Sequence, residues 1–387
     1  MSLTLLFGEH RVPVYVALVL GLLLRIVFVL ETPFNKPVQI GTLSAYNDEA
    51  AHVGFTVHLL EAGSLPRTVA PITSEYQEEL PTWENYQSPL YYILHSLACR
   101  ALKVSNSQAV AEVGRWLSVL FMFVTIAVAM RILASLGKAV SNRTAALAII
   151  FLALSGVFVR FSTLSGNEML AWLIVGWLAW AFVEHERYAS TRNLSWLMIA
   201  FILGVYVKLS LLIASPLIAI ALVKSYRLAP SKAVIAGLYL IVGCMPLALY
   251  NHFTFGSAIP IAAGFGNAAW QMPGVSSFLY AARSAIFPWS ELWQGWKGVL
   301  LFIPASVFVA IVFVSALSKP KSWQFALTLS ALVGFVWLNF RYAQAEARYL
   351  FVAWPGLLLG FQFSLARFIS PWTLLLALLL PYTLFVF

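Results

Sequence analysis

The sequence predicts an all-α, polytopic membrane protein, and three observations carry that prediction. Hydrophobic residues make up 61% of the 387 residues, charged residues only 10%, and the mean hydropathy is +0.85. A soluble globule cannot cover its surface from such a composition. The apolar residues also come in long runs, and about eleven of these approach the roughly 20 residues that cross a bilayer core. Finally, Lys and Arg are spread unevenly among the loops that join the runs.

The first run, 13–30, contains Arg25 and lacks a small-residue cleavage site before Glu31, so it reads as a retained anchor and not a cleaved signal. Further spans are predicted at 113–130, 144–161, 168–183, 194–207, 209–223, 234–250, 298–316, 324–340, 349–366 and 371–386. The spans 194–207 and 209–223 are short and meet at Lys208, which leaves two forms open, a tight pair or one kinked element. Cys99 and Cys244 stand in apolar surroundings without metal-ligand spacing and read as buried free thiols.

Short cytoplasmic loops accumulate Lys and Arg. With the amino terminus inside, the later cytoplasmic loops hold eleven basic residues: Arg131, Lys138, Arg143, Arg187, Arg192, Lys224, Arg227, Lys232, Lys319, Lys321 and Arg367. After residue 120 the opposite side holds six: Arg160, Lys208, Arg283, Lys297, Arg341 and Arg348. Pro89 to Val104 is apolar enough to cross, but a crossing there would reverse this bias, so it reads as a helix lying along the membrane. The net charge of +9 needs only anionic lipid, and nothing points to nucleic acid.

Two sizeable loops then lie outside the cytoplasm, 31–112 and 251–297, and function is expected there. The first contains Asp48, the only aspartate in the chain, within Asn47-Asp48-Glu49. A carboxylate beside lipid is costly unless it is paired or used. Asp48 is placed to cap a helix running through Glu49, His52, Val53, Leu59 and Leu60 and ended by Gly63 and Pro66. Spacings of three and four residues put His52 on the face of Asp48 and Glu49. Ser88 as cap and Pro89 in the first turn announce a second helix.

A cap with an acidic first turn is the plain alternative for Asn47-Asp48-Glu49. Lys208, Arg341 and Arg348 weigh against it, because they fall at outer span ends where the charge rule predicts depletion and where a phosphate would lie. Their own plain alternative is snorkelling to ordinary headgroups. Glu168 either caps the fourth span or contacts an acceptor, and Arg25 is paired or snorkelling. Trp270, Trp289, Trp293 and Trp296 read as interfacial anchors, with sugar stacking as the alternative. Glu75, Glu78, Glu79 and Glu84 read as a solvated face, with acceptor binding as the alternative.

Together these residues resemble the integral-membrane glycosyltransferases of the GT-C superfamily, which use polyprenyl- or dolichyl-phosphate sugars, and they are similar to the protein mannosyltransferase and aminoarabinose transferase families. The resemblance runs from Asn47-Asp48-Glu49-Ala50-Ala51-His52 through Glu61-Ala62-Gly63-Ser64-Leu65-Pro66 to Gln87-Ser88-Pro89-Leu90-Tyr91-Tyr92. It continues with Ser165-Gly166-Asn167-Glu168, Val207-Lys208-Leu209-Ser210, Asn251-His252-Phe253-Thr254-Phe255-Gly256 and Glu346-Ala347-Arg348-Tyr349-Leu350 followed by Pro355. The chain departs from larger members in that no soluble carboxyl-terminal domain is expected after Phe387, so residues 1–387 read as one GT-C-like domain.

The resemblance implies transfer of a sugar, with inversion, from a lipid-linked polyprenyl phosphate to a hydroxyl of a glycan, lipid or protein at the extracytoplasmic face of the plasma or inner membrane. Asp48 is then the expected base, with Glu49 assisting; which of Asp48, Glu49 and His52 takes the proton stays open. Lys208, Arg341, Arg348 and His52 are expected to bind the donor phosphate, and Gln87, Tyr91, Glu168 and Tyr349 the substrates. No cofactor is required; a divalent metal held by Asp48 and Glu168 stays open, because Glu168 stands alone where metal-dependent relatives have two acids. Two rival functions are a flippase for lipid-linked sugars and a non-catalytic subunit of a cell-envelope assembly.

Overall fold

The structure is a computed structural model that describes residues 3–32, 34, 38–40, 43–45, 48–67, 72–73, 79–80, 84–104, 106–188, 190–260, 354–358 and 369–386. Its helices are α1 (Leu3–Phe7), α2 (Arg11–Glu31), α3 (Glu49–Ala62), α4 (Leu90–Leu102), α5 (Ser107–Leu136), α6 (Asn142–Leu154) and α7 (Gly156–Phe161). They continue as α8 (Glu168–Tyr188), α9 (Thr191–Val207), α10 (Ser215–Leu228), α11 (Pro230–Phe255), α12 (Trp354–Leu357) and α13 (Pro371–Val386). Two short antiparallel ribbons flank α3: β1 (Val38–Ile40) with β2 (Leu43–Ala45), and β3 (Ile72–Thr73) with β4 (Glu79–Leu80).

Among the described residues four stretches are long and apolar enough to cross a bilayer, Leu5–Glu31, Ser107–Leu136, Leu209–Leu228 and Pro230–Phe255, and the protein is an integral membrane protein. The predicted spans 298–316 and 324–340 and most of 349–366 lie outside the described residues, as do Trp270, Trp289, Trp293 and Trp296. The thiol of Cys99 is buried and that of Cys244 half-buried.

Hydrogen bonds between helix ends fix the run of the bundle. At one end, Ser135 near the close of α5 donates to Glu184 of α8 (2.5 Å), Asn193 of α9 to the Glu184 carbonyl (3.0 Å), and His185 of α8 meets Ser225 of α10 (3.0 Å). At the other end, Arg115 near the start of α5 donates to the carbonyls of Val29 and Thr32, where α2 finishes. The chain therefore leaves α2 and enters α5 at the same end, and Pro89 to Val104 does not traverse the bundle. The 13 residues of α4 span only about 20 Å at 1.5 Å per residue. They bury Tyr91, Tyr92, His95, Ser96 and Cys99 against α3 and α5.

The same bonds resolve the short pair at Lys208. Because Ser225 returns to His185, α10 runs back antiparallel to α9, and the two form a tight pair hinged at Lys208, whose backbone is extended (φ −157°, ψ 123°). The predicted span 144–161 is in contrast two helices, broken at Ser155 (ψ 143°). A break leaves carbonyls without intrahelical donors. Here Arg25 donates through Nη1 to Ala153 O (2.7 Å) and through Nε to Ser162 Oγ (2.7 Å), while Tyr382 of α13 donates to Leu154 O (2.8 Å). Arg25 is thus paired inside the bundle. Around it α6 is buried from Thr144 to Leu154, the condition of an apolar helix at the centre of a core.

Candidate functional site

The site gathers at the end where α2 closes and α3, α5 and α8 begin. Asp48 is the residue preceding α3, as the sequence suggests, but its side chain makes no cap hydrogen bond; the helix ends at Gly63, whose φ of 65° suits a residue without Cβ. Ser88 likewise does not cap α4: Pro89 takes the cap position, and the buried Ser88 hydroxyl has no hydrogen-bond partner. Glu168 is the first residue of α8, and the Asn167 carbonyl accepts from Ala171 N.

Glu49 is committed to Arg115. The guanidinium donates through Nε to Oε1 (2.7 Å) and Nη2 to Oε2 (2.5 Å), both side chains are 1% exposed, and Ser165 N donates to Oε1 (2.8 Å). Since Arg115 also takes the Val29 and Thr32 carbonyls, one buried pair ties α2, α3, α5 and the 162–168 loop together. Losing one member of a buried pair costs about 3–5 kcal/mol. Sequence reasoning passed over Arg115, although a charge inside a predicted apolar span demands a partner.

Asp48 is half-buried, and its carboxylate stands with His52 and Glu84, their ligating atoms within 4.8 Å of one another. Glu84 was expected on a solvated face; it is 6% exposed, with Oε2 lacking a hydrogen-bond partner. Packing beneath α3 and α4, and not composition, decides its burial. His52 Nδ1 meets the Tyr92 hydroxyl (2.6 Å), and Tyr92 stacks on Phe55 with ring centroids 3.9 Å apart. Burial first, and then the charges of Glu84 and Glu168, push the Tyr92 phenol well above its ordinary range, which keeps it a neutral hydrogen-bonding group. Below it, His95 joins Thr56 Oγ1 (2.9 Å) and Val110 O (2.8 Å), and burial lowers it to about 4, so this second histidine is a neutral strut.

Lys208 ends α9 with its ammonium on Glu168 Oε1 and on Asn167 Oδ1 (3.3 Å). Asn167 Nδ2 reaches Gln87 Oε1 and Val207 O, each at 3.3 Å, so three of the quoted motifs converge on one amide. Tyr91 is fully buried and its hydroxyl meets Ser165 Oγ (3.3 Å), under the 162–168 loop. Gly166 joins the two clusters: a Cβ there would stand 3.3 Å from Glu168 Oε2 and 3.3 Å from His52 Cδ2. The structure thus brings Asp48, His52, Glu168, Lys208 and Gln87 to one place, with Glu49 and Tyr91 beneath. Arg341, Arg348 and Tyr349 lie outside the described residues.

No family profile matches the sequence, and no curated protein matches it. Solved structures do match. ArnT from Cupriavidus metallidurans bound to undecaprenyl phosphate superposes with a TM-score of 0.56 at 14% identity, over 93% of this chain and 61% of that one. An Archaeoglobus fulgidus oligosaccharyltransferase in complex with Zn and sulfate gives 0.50 at 14% identity, over 95% of this chain and 51% of that one. The chain spans about half to three-fifths of the length of these proteins. At this identity the likeness is one of fold: the chain shares the fold of these two proteins.

Proposed function

We propose that this protein is an inverting glycosyltransferase that moves a sugar from a polyprenyl-phosphate donor to a hydroxyl acceptor at the extracytoplasmic face of the membrane. The fold supports the reaction class, and undecaprenyl phosphate bound to ArnT supports the donor class. The observation that carries the reading is local: across Gly166, the Asp48 and His52 cluster adjoins the Glu168 carboxylate that holds a half-buried Lys208. A displacement at a sugar phosphate needs an acid-base group and a cation that close.

In this reading Asp48 takes the proton of the acceptor hydroxyl. The acceptor oxygen bonds to the anomeric carbon as the bond from that carbon to the phosphate oxygen breaks, and the electron pair leaves with the lipid phosphate. Glu49, saturated by Arg115, positions Asp48 and takes no proton. Lys208, with Arg341 and Arg348, stabilises the departing phosphate. Gln87 and Glu168 contact the sugar or the acceptor. Charge supports this sidedness, since Arg131, Lys138, Arg143, Arg187, Arg192, Lys224, Arg227 and Lys232 belong to the end of the bundle opposite this site.

The test is transfer from a synthetic polyprenyl-phosphate sugar by protein purified into nanodiscs. Asp48→Asn is expected to lower transfer by about 100- to 10,000-fold while donor binding persists. Transfer at the wild-type rate would overturn the assignment, and donor movement between leaflets without product would favour a flippase.

A further inference from the structure

We propose that Asp48, His52 and Glu84 form a binding site for a divalent transition metal, Mn²⁺ or Zn²⁺. The set differs from the Asp48 and Glu168 pairing expected from sequence, because Glu168 is held by Lys208. Asp48 and His52 stand one helical turn apart, with His52 N bonded to Asp48 O (3.2 Å), so both side chains leave the same face at the root of α3. Glu84 approaches from the turn before α4, where Gln87 N closes onto its carbonyl (2.9 Å).

The ligating atoms lie within 4.8 Å of one another. Bonds of about 2.0–2.2 Å to a shared ion put neighbouring ligands about 3 Å apart and opposed ones about 4.4 Å apart, so small side-chain adjustments close the site.

Two further features point to a cation. Glu84 Oε2 is buried without a hydrogen-bond partner, an arrangement that is costly unless something positive satisfies it. Arg115 is committed to Glu49 and Lys208 to Glu168, so neither of these nearby cations is assigned to Glu84. His52 Nδ1 is engaged by the Tyr92 hydroxyl, which leaves Nε2 as the ring nitrogen for a ligand bond, the outer hydrogen bond that metal-bound imidazoles require. Two carboxylates and one imidazole select Mn²⁺ or Zn²⁺ over Mg²⁺ or Ca²⁺, which prefer oxygen alone. Three protein ligands leave room for a phosphate oxygen of the donor. Only this role rests on the transferase reading.

The experiment is Mn²⁺ binding to EDTA-stripped full-length protein in nanodiscs, followed by electron paramagnetic resonance without donor or acceptor, and repeated with Zn²⁺ by calorimetry. Wild type and Glu168→Gln are expected to bind one ion per chain, with Glu84→Gln and His52→Ala at least tenfold weaker. Thermal melting keeps the result readable if a variant folds poorly: Mn²⁺ should raise the wild-type melting temperature, and not that of a folded Glu84→Gln protein. Equal binding by wild type and Glu84→Gln, or none by wild type, overturns the site. Because binding is read apart from transfer, an inactive protein that binds Mn²⁺ counts against the transferase alone, and an active one that does not counts against the metal site alone.

Discussion

Two ion pairs lie within the same end of the molecule, and they are built differently. At the root of α3, Glu49 and Arg115 are each 1% exposed, joined by two charge-assisted bonds, and saturated further by Ser165 N and the Val29 and Thr32 carbonyls. At the head of α8, Lys208 and Glu168 are 12% and 5% exposed, and the ammonium meets one carboxylate oxygen and one amide. A planar guanidinium that fills its fork is a fixed strut, whereas an ammonium is a point charge on a flexible stem that can turn to another anion. The first pair is scaffold, and the second is available to a ligand.

The largest effect that tests this contrast is on stability. Arg115→Leu strands a buried Glu49 carboxylate and unsatisfies two carbonyls, and it is expected to destabilise by about 3–5 kcal/mol, read as a lowered unfolding midpoint in detergent. Adding Glu49→Met removes the stranded charge and should recover part of the loss. A midpoint that Arg115→Leu leaves unchanged would break the scaffold assignment.

How far this arrangement can be read from the chain differs between backbone and site. The predicted spans 113–130 and 234–250 fall inside Ser107–Leu136 and Pro230–Phe255, since apolar runs report the core of a helix while caps such as Asn106 and polar turns extend it. The break at Ser155 coincides with the turn-type dipeptide Ser155-Gly156, a weak signal inside an apolar run, and bonds from Arg25 and Tyr382, distant in sequence, stabilise it. In the site, Asp48 and His52 were legible together because helical spacing joins them. Glu84 was not, since a glutamate in a loop with three others looks solvated until packing encloses it. The partnership of Glu49 with Arg115 spans 66 residues, and no local pattern predicts such a pairing.

Next in size is Lys208→Gln. Losing the ammonium is expected to weaken binding of polyprenyl phosphate about tenfold or more, roughly 1.4 kcal/mol, and to lower transfer further, because a cation matters most as charge develops on the leaving phosphate. Its unfolding midpoint should fall less than half as far as that of Arg115→Leu, since the neutral amide can still bond Glu168 or Asn167. Donor binding measured by calorimetry and melting measured together decide the matter. Intact binding with a large fall in midpoint would make this pair scaffold too.

The smallest expected effect probes the seam between the two regions. Gly166 has no positive φ, so its lack of a side chain answers to space and not to backbone strain. A methyl there would press on His52 Cδ2 and Glu168 Oε2 at 3.3 Å, a contact tighter than ordinary packing, so one or both must move by a few tenths of an ångström. The Glu49–Arg115 strut touches the neighbouring Ser165 through its backbone N–H alone and is not among the nearest atoms the methyl would meet, so it should not respond. Gly166→Ala is therefore expected to leave the unfolding midpoint within about 1 kcal/mol of wild type. Transfer should nevertheless fall about tenfold, because small misplacements of reacting groups are magnified in rate. Should the midpoint fall as far as in Arg115→Leu, the methyl would be straining the strut itself, and the division between a rigid root and an adjustable head would no longer hold.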